Sequence, residues 1–178
     1  MVKFLFTISL MFYTNNAFAG FYVGLQNNSW QDVIPVTYTD TTSGAKVSFL
    51  ALTSFSSISA GGGYDSLLST RWRYFADLYM HSGNADILKI QGTVSPRKSF
   101  TSQWVSGCIS YRFTKTFSIG PQLVINAVSV KDAGSATSLG LLIHSQIEVS
   151  NNYRFIQTFG SMNDSGTIAY TIGLQRYF

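Results

Sequence analysis

Charge is scarce in this chain. Of 178 residues, 12 are Lys or Arg and 8 are Asp or Glu, so charged side chains make up 11%. Soluble domains carry roughly 25%, and too few ionic groups are present here to build such a surface. Cysteine is nearly absent: Cys108 stands alone, which excludes an internal disulfide and any multi-cysteine metal centre. Histidine is limited to His81 and His144. Basic residues are scattered, and the densest spot, Arg97-Lys98, is too small for a nucleic-acid footprint. No run of apolar residues after the first segment is long enough for a transmembrane helix, which needs about 20. No cofactor or metal motif stands out, and no catalytic constellation.

Aromatic residues, by contrast, reach 15%. Disordered chains are poor in them, so the sequence is expected to fold. Residues 1–19 hold one early cation (Lys3), an apolar run from Phe4 to Tyr13 and the ending Ala17-Phe18-Ala19. These are the three parts of a secretory signal peptide, with cleavage expected after Ala19 and residues 20–178 as the exported domain.

That exported part alternates with period two. From Gly166 to Phe178, Ile168, Tyr170, Ile172 and Leu174 share one face; Thr167, Ala169, Thr171, Gly173 and Gln175 share the other. Similar alternation occupies Thr137–Val149, Phe117–Lys131, Gln103–Phe113 and Arg71–His81. The second face is Gly, Ser, Thr, Asn and Gln, not the Lys and Glu of a soluble sandwich. Apolar-out and small-or-polar-in is the pattern of a membrane-spanning strand. The segments number eight, at about 20–30, 47–64, 71–82, 99–113, 117–131, 137–149, 153–162 and 166–178. The expected fold is therefore an all-β, eight-stranded, antiparallel, up-and-down transmembrane β-barrel. The stretch Phe49–Ser59 alternates poorly, and Gly61-Gly62-Gly63 after it predicts a bulge or bend. Two connections read as long loops, 31–46 and 83–98, and both fall on the side opposite the termini.

Several features carry a resemblance to a known group: Gly20-Phe21-Tyr22-Val23-Gly24, Gly61-Gly62-Gly63-Tyr64-Asp65, Arg71-Trp72-Arg73-Tyr74-Phe75 and the terminal Phe178. On these the chain resembles the small eight-stranded outer-membrane barrels of the OmpA, OmpX and opacity-protein type. The resemblance implies the outer membrane of a Gram-negative bacterium, with outer-membrane lipid and lipopolysaccharide as surroundings. It also implies that Phe178 serves as the signal read by the barrel assembly machinery. Arg176 departs from the pattern by falling on the lipid-facing parity, where an arginine at the interface can snorkel.

Inward parity collects Arg73, Asp77, Arg112, His144, Glu148 and Arg154. Charges inside a narrow barrel must pair, so these six are expected to form a polar network that plugs the lumen. The leading functional expectation is a structural or surface-interaction protein, not an enzyme, with loops 31–46 and 83–98 offered to an unidentified surface partner. The rivals are a narrow ion channel and a lipid A-modifying enzyme. His144-Ser145 prompts the enzyme reading, but neighbours on a strand point to opposite faces, which denies them a shared proton. Trp30 and Trp104 are expected in the interfacial aromatic belt, and His81 near the solvated outer rim.

Overall fold

The computed structural model describes residues 20–39, 43–87, 97–163 and 167–178; the expected signal peptide lies outside them. Eight strands follow one another: β1 (Gly20–Thr39), β2 (Lys46–Leu67), β3 (Trp72–Ile87), β4 (Lys98–Arg112), β5 (Phe117–Val130), β6 (Gly134–Ser150), β7 (Tyr153–Met162) and β8 (Thr167–Tyr177). Each pairs antiparallel with the next, and β1 pairs with β8, so the sheet is a closed barrel. Closure removes the unpaired edges that lipid cannot satisfy.

The outward face near the termini is an apolar belt. Along β4 and the residue just after it, the belt reads Phe113, Tyr111, Ile109, Gly107 and Val105; on β3, Trp72, Tyr74, Ala76, Leu78 and Met80. Each set spans about nine residues, the length a tilted strand needs to cross a bilayer. The belt ends in an aromatic girdle. Trp72 packs edge-on against Tyr111 (5.2 Å), Tyr111 against Phe113 (5.0 Å) and Phe21 against Tyr64 (5.1 Å). Arg176 sits in this girdle, its guanidinium 5.3 Å from the Phe178 ring and 6.0 Å from that of Tyr153.

Beyond the belt the polarity inverts. Outward residues become Ser82, Asn84, Ser99, Thr101, Gln103, Ser129 and Thr137, all exposed. Inward residues become Ile34, Val36, Ala51, Phe55, Ile87, Phe100 and Val128, all buried. This is the arrangement of a water-soluble domain, and it follows from solvent. Where water replaces lipid outside, the apolar residues belong inside.

The segments expected as loops supply much of this distal part. Residues 31–39 continue β1 and pair with 46–54 of β2, and 83–87 continue β3 up to the pair Thr53↔Ile87. Within 31–46 the described residues outside strands are therefore only Ser43, Gly44 and Ala45, with Gly44 at a φ of 68°. Of 83–98, Arg97 lies outside a strand; its guanidinium donates to both oxygens of Asp86 (3.0 and 3.1 Å). That bond holds the Asp86 carboxyl below the ordinary carboxylate range.

The Gly61-Gly62-Gly63 stretch stays in register with both neighbours, contrary to the expected bulge or bend. A Cβ at Gly61, Gly62 or Gly63 would overlap the carbonyl oxygen of Leu78, Tyr22 or Ala76. The glycines thus serve close approach of three strands. The register shift in the sheet lies elsewhere, between Glu148 and Ser150 on β6.

Strand lengths then narrow the barrel. β7 and β8 have 10 and 11 residues, against 20 and 22 for β1 and β2. The β1–β8 ladder stops at Trp30↔Ala169, and the β6–β7 ladder at Gly140↔Met162. Above the short β7–β8 hairpin, β1 crosses directly to β6. The Thr37 N–H donates to the Ala133 carbonyl (3.3 Å). Asn163, in the left-handed region (φ 59°), donates its N–H to the Leu139 carbonyl (2.7 Å) and its side-chain amide to Asp32. Asp32 in turn accepts the Val33 N–H (2.8 Å), and Pro35 offers no donor, so this stretch of β1 edge is blunted. Eight strands at the belt become six at the far end.

Gly134 sits at that crossing, where a Cβ would overlap the Pro35 carbonyl oxygen. Gly134→Ala is expected to cost about 1–3 kcal/mol as overpacking and to lift β1 from β6. New tryptic cleavage after Lys46, with the detergent-resistant barrel otherwise intact, is the outcome to look for.

Candidate functional site

The lumen is built in three layers. The first, near the termini, is ionic. Asp65 on β2 lies at its centre, 2% exposed. Arg73 Nε stands 3.2 Å from Asp65 Oδ1, and Arg154 reaches Asp65 Oδ2 from β7. Arg73 Nη1 also donates to Glu148 Oε1 (3.0 Å), and Arg154 Nε lies 3.5 Å from the same oxygen. The Tyr177 hydroxyl donates to Asp65 Oδ2 (3.0 Å), and its ring lies 3.6 Å beneath the Arg154 guanidinium. Two carboxylates thus face two guanidinium groups. Strand parity delivers all five side chains inward, each from a different strand except that β1, β4 and β5 contribute none.

The second layer is polar but carries one charge-bearing group, Asp77. It accepts from the Tyr22 hydroxyl (2.9 Å) and from Ser106, which takes a hydrogen bond from Gln122 Nε2 (2.7 Å). Asn28 joins Ser59 (2.9 Å) to Thr171 (2.8 Å), and Ser102 donates to Asn126 (2.9 Å). The void among Gln26, Asp77, Tyr79, Trp104, Gln122 and His144 measures about 10 Å³. A cavity needs roughly 10–15 Å³ to admit one water molecule.

The third layer is aromatic. Trp30 stacks on Phe55 (4.9 Å) and meets Phe100 (5.3 Å), Trp104 (5.2 Å) and His81 (5.6 Å) edge-on. Above it lie Ile34, Val36, Ala51, Ile87 and Val130, all in the same cluster.

The six residues expected as one network are therefore distributed. Arg73, Glu148 and Arg154 come together. Asp77 lies a layer away, held by hydroxyls and not by a cation. His144 is buried against Phe75 (4.6 Å) and joins no ion pair among the described residues. Arg112 sits at the strand end, where its Nη2 donates to the Lys115 carbonyl (2.9 Å), because β4 stops at that residue. Two further expectations are corrected. Trp30 and Trp104 are 1% and 4% exposed inside the barrel, not in the belt, since both fall on inward parity. His81 is 2% exposed and bonded to Ser57 (3.3 Å), not solvated. Asp65 was the residue missed; its parity relative to Asp77 and Arg73 across the β2–β3 pairs was the available signal.

Ser145 turns outward and bonds the Gln157 carbonyl (3.3 Å), while His144 points in. Phe178 is exposed, and its N–H closes on the Phe21 carbonyl (3.1 Å). Among the described residues no three His, Cys, Asp or Glu side chains converge as a metal ion would require.

A closed eight-stranded barrel with an outward apolar belt and an aromatic girdle defines a transmembrane β-barrel. Its fold is that of the small outer-membrane barrels. It is similar to Ail of Yersinia pestis in a phospholipid bilayer nanodisc, with a TM-score of 0.50 at 12% identity over 90% of this chain and 99% of that one. It is similar also to Neisserial surface protein A (TM-score 0.45, 17% identity, 90% and 99% covered). OprG from Pseudomonas aeruginosa is a third similar structure (TM-score 0.44, 13% identity, 89% and 96% covered). No protein-family model and no curated protein matches the sequence.

Proposed function

We propose that the chain works in the outer membrane of a Gram-negative bacterium as a closed anchor that carries a rigid, polar cap for contacts at the cell surface. The lumen is read as plugged. The observation that carries this is the aromatic layer under the six-stranded end: Trp30, Phe55, Phe100 and Trp104 in ring contact across the axis. Eight strands leave an interior that side chains just fill, and six leave less. Support for the membrane site comes from the belt and girdle, whose dimensions suit a bilayer. The cap's outer face is hydroxyl- and amide-rich, with Ser82, Asn84, Thr101 and Gln103 exposed. Lipopolysaccharide is the proposed immediate surrounding of that face, and the barrel assembly machinery the proposed reader of Phe178.

Planar-bilayer recording tests the closed lumen. No discrete conductance steps are expected from the wild type. Steps that change in Glu148→Ala would establish the narrow-channel reading instead. A lipid A-modifying activity would appear as a mass change in lipid A on expression, lost in His144→Ala; none is expected. On intact cells, a cysteine placed at Asn84 should label with a membrane-impermeant maleimide, whereas one placed at Ser69 should not.

A further inference from the structure

The outer wall of the belt is interrupted beside Gly107 and, more narrowly (about 450 Å³), between Val23, Leu25, Ala60 and Leu174. Gly107 on β4 faces outward beside Ala76 on β3, its cross-strand partner. A Cβ built on Gly107 would meet only the Phe75 carbonyl oxygen, at 3.9 Å, so the space outside it is open. The result is a groove of about 970 Å³ lined by Leu68, Tyr74, Val105, Ile109, Leu123 and Leu141. It runs from the turn after β2 into the middle of the belt. Elsewhere on β4 and β5 the belt carries full-sized side chains.

Three cations cluster at the terminal rim of this groove. Arg71 follows Leu68 in the same turn and donates Nη1 to the Tyr111 hydroxyl (2.8 Å). Tyr111 is two residues beyond Ile109 and is fixed between Trp72 and Phe113. The Arg71 guanidinium is thereby held at the level of the aromatic girdle. Arg112 donates its N–H to the Arg71 carbonyl (2.7 Å) and its Nη2 to the Lys115 carbonyl (2.9 Å), which brings Lys115 to the same rim. None of the three makes an ion pair among the described residues. The acids of that end, Asp65 and Glu148, face inward and are taken by Arg73 and Arg154.

We infer that this face is a binding site for an anionic glycerophospholipid in the leaflet at the terminal end. The phosphate and its anionic headgroup rest on Arg71 and Lys115, and one acyl chain lies in the groove along Ile109, Gly107 and Leu123. Basic residues at the membrane surface attract anionic headgroups. A chain and a basic patch together hold where either alone is marginal. The charge decides the occupant: a zwitterionic lipid fits the groove equally but leaves the rim unneutralised. The inference rests on the chain being a membrane barrel.

Native mass spectrometry of the full chain in detergent, with phosphatidylglycerol and phosphatidylcholine of identical acyl chains, tests it. Before lipid is added, the protein must show different gel mobility boiled and unboiled; without that shift the barrel reading itself fails. The expected result is one retained phosphatidylglycerol, preferred over phosphatidylcholine by about five-fold per engaged cation. Arg71→Gln with Lys115→Gln should abolish the preference, and Lys115→Glu alone, in an exposed turn, should reduce it. Gly107→Leu fills the groove without touching the rim and should lower retention of both lipids several-fold. Equal retention of the two lipids by the wild type overturns the inference. So does a preference that survives the rim variants, or retention that ignores Gly107→Leu. A two-chain mass that Gly107→Leu removes would assign the groove to a second copy instead.

Discussion

Asp65→Ala should destabilise the barrel by about 3–5 kcal/mol, the loss found when one partner of a buried ion pair is removed. The carboxylate is 2% exposed and faces two guanidinium groups, one of which is itself 4% exposed. Without it, Arg73 and Arg154 converge on Glu148 alone, so two positive charges share one acid in a place water scarcely reaches. The Tyr177 hydroxyl loses its acceptor as well. Glu148→Gln should cost distinctly less, because Glu148 is 27% exposed and water can replace part of what it supplies. Equilibrium urea unfolding in detergent, followed by the boiled-against-unboiled gel shift, measures both. An Asp65→Ala loss below about 1 kcal/mol, the scale of an exposed pair, would mean that the two arginines find other partners and that Asp65 is not the hub.

Trp30→Ala is the second large effect. Trp30 touches four rings, on β2, β3 and β4, and is 1% exposed. Truncating a buried large aromatic costs about 3–5 kcal/mol through lost burial and the cavity left behind. The loss should be local to the distal part, where β1 has no β8 partner and depends on its inner face for attachment. Trp30→Ala should therefore loosen the β1–β2 ladder around the already exposed Lys46 and let trypsin cut there before the membrane belt gives way. Trp30→Phe should recover most of the stability, since Phe55 offers a stacking face. Coincident loss of belt and cap in Trp30→Ala would show that the two are one cooperative unit.

The polarity inversion explains what was legible in the sequence. Where lipid lies outside, alternation has one sense, and the belt segments of β3, β4, β5, β6 and β8 could be read from it. Their parities placed Arg73, Glu148 and Arg154 inward correctly. Beyond the bilayer the sense reverses, and outward apolar residues become the exception, as Val47 and Leu50 on β2. Residues 31–39, with Asp32, Pro35 and two threonines, then look like loop, and 49–59 look poorly patterned. In fact Ile34, Val36, Ala51 and Phe55 alternate strictly, but inward. Trp30 and Trp104 were misplaced by composition; parity, applied to the same strands, puts them inside. Arg112 shows the limit of parity, since a side chain at a strand end escapes the lumen whatever its phase. Asp65 is not legible in its own stretch of the sequence because Gly61, Gly62 and Gly63 before it carry no side-chain alternation that would fix its face.

The narrowing from eight strands to six also divides the distal connections by their tolerance of inserted sequence. The turn at 131–133 is a joint: Ala133 accepts from Thr37, the Asp132 carbonyl accepts from Lys98 Nζ (2.8 Å), and the Lys131 N–H donates to Ser99 (3.0 Å). Asn163 is another, tied to β1 and β6. Lengthening either would pull the wall apart. Ser43–Ala45 is exposed and lies in the turn before β2, so an epitope or peptide spliced there would extend outward from a firm base. The tip of the β1–β2 hairpin is thus the position from which this scaffold would best display foreign sequence.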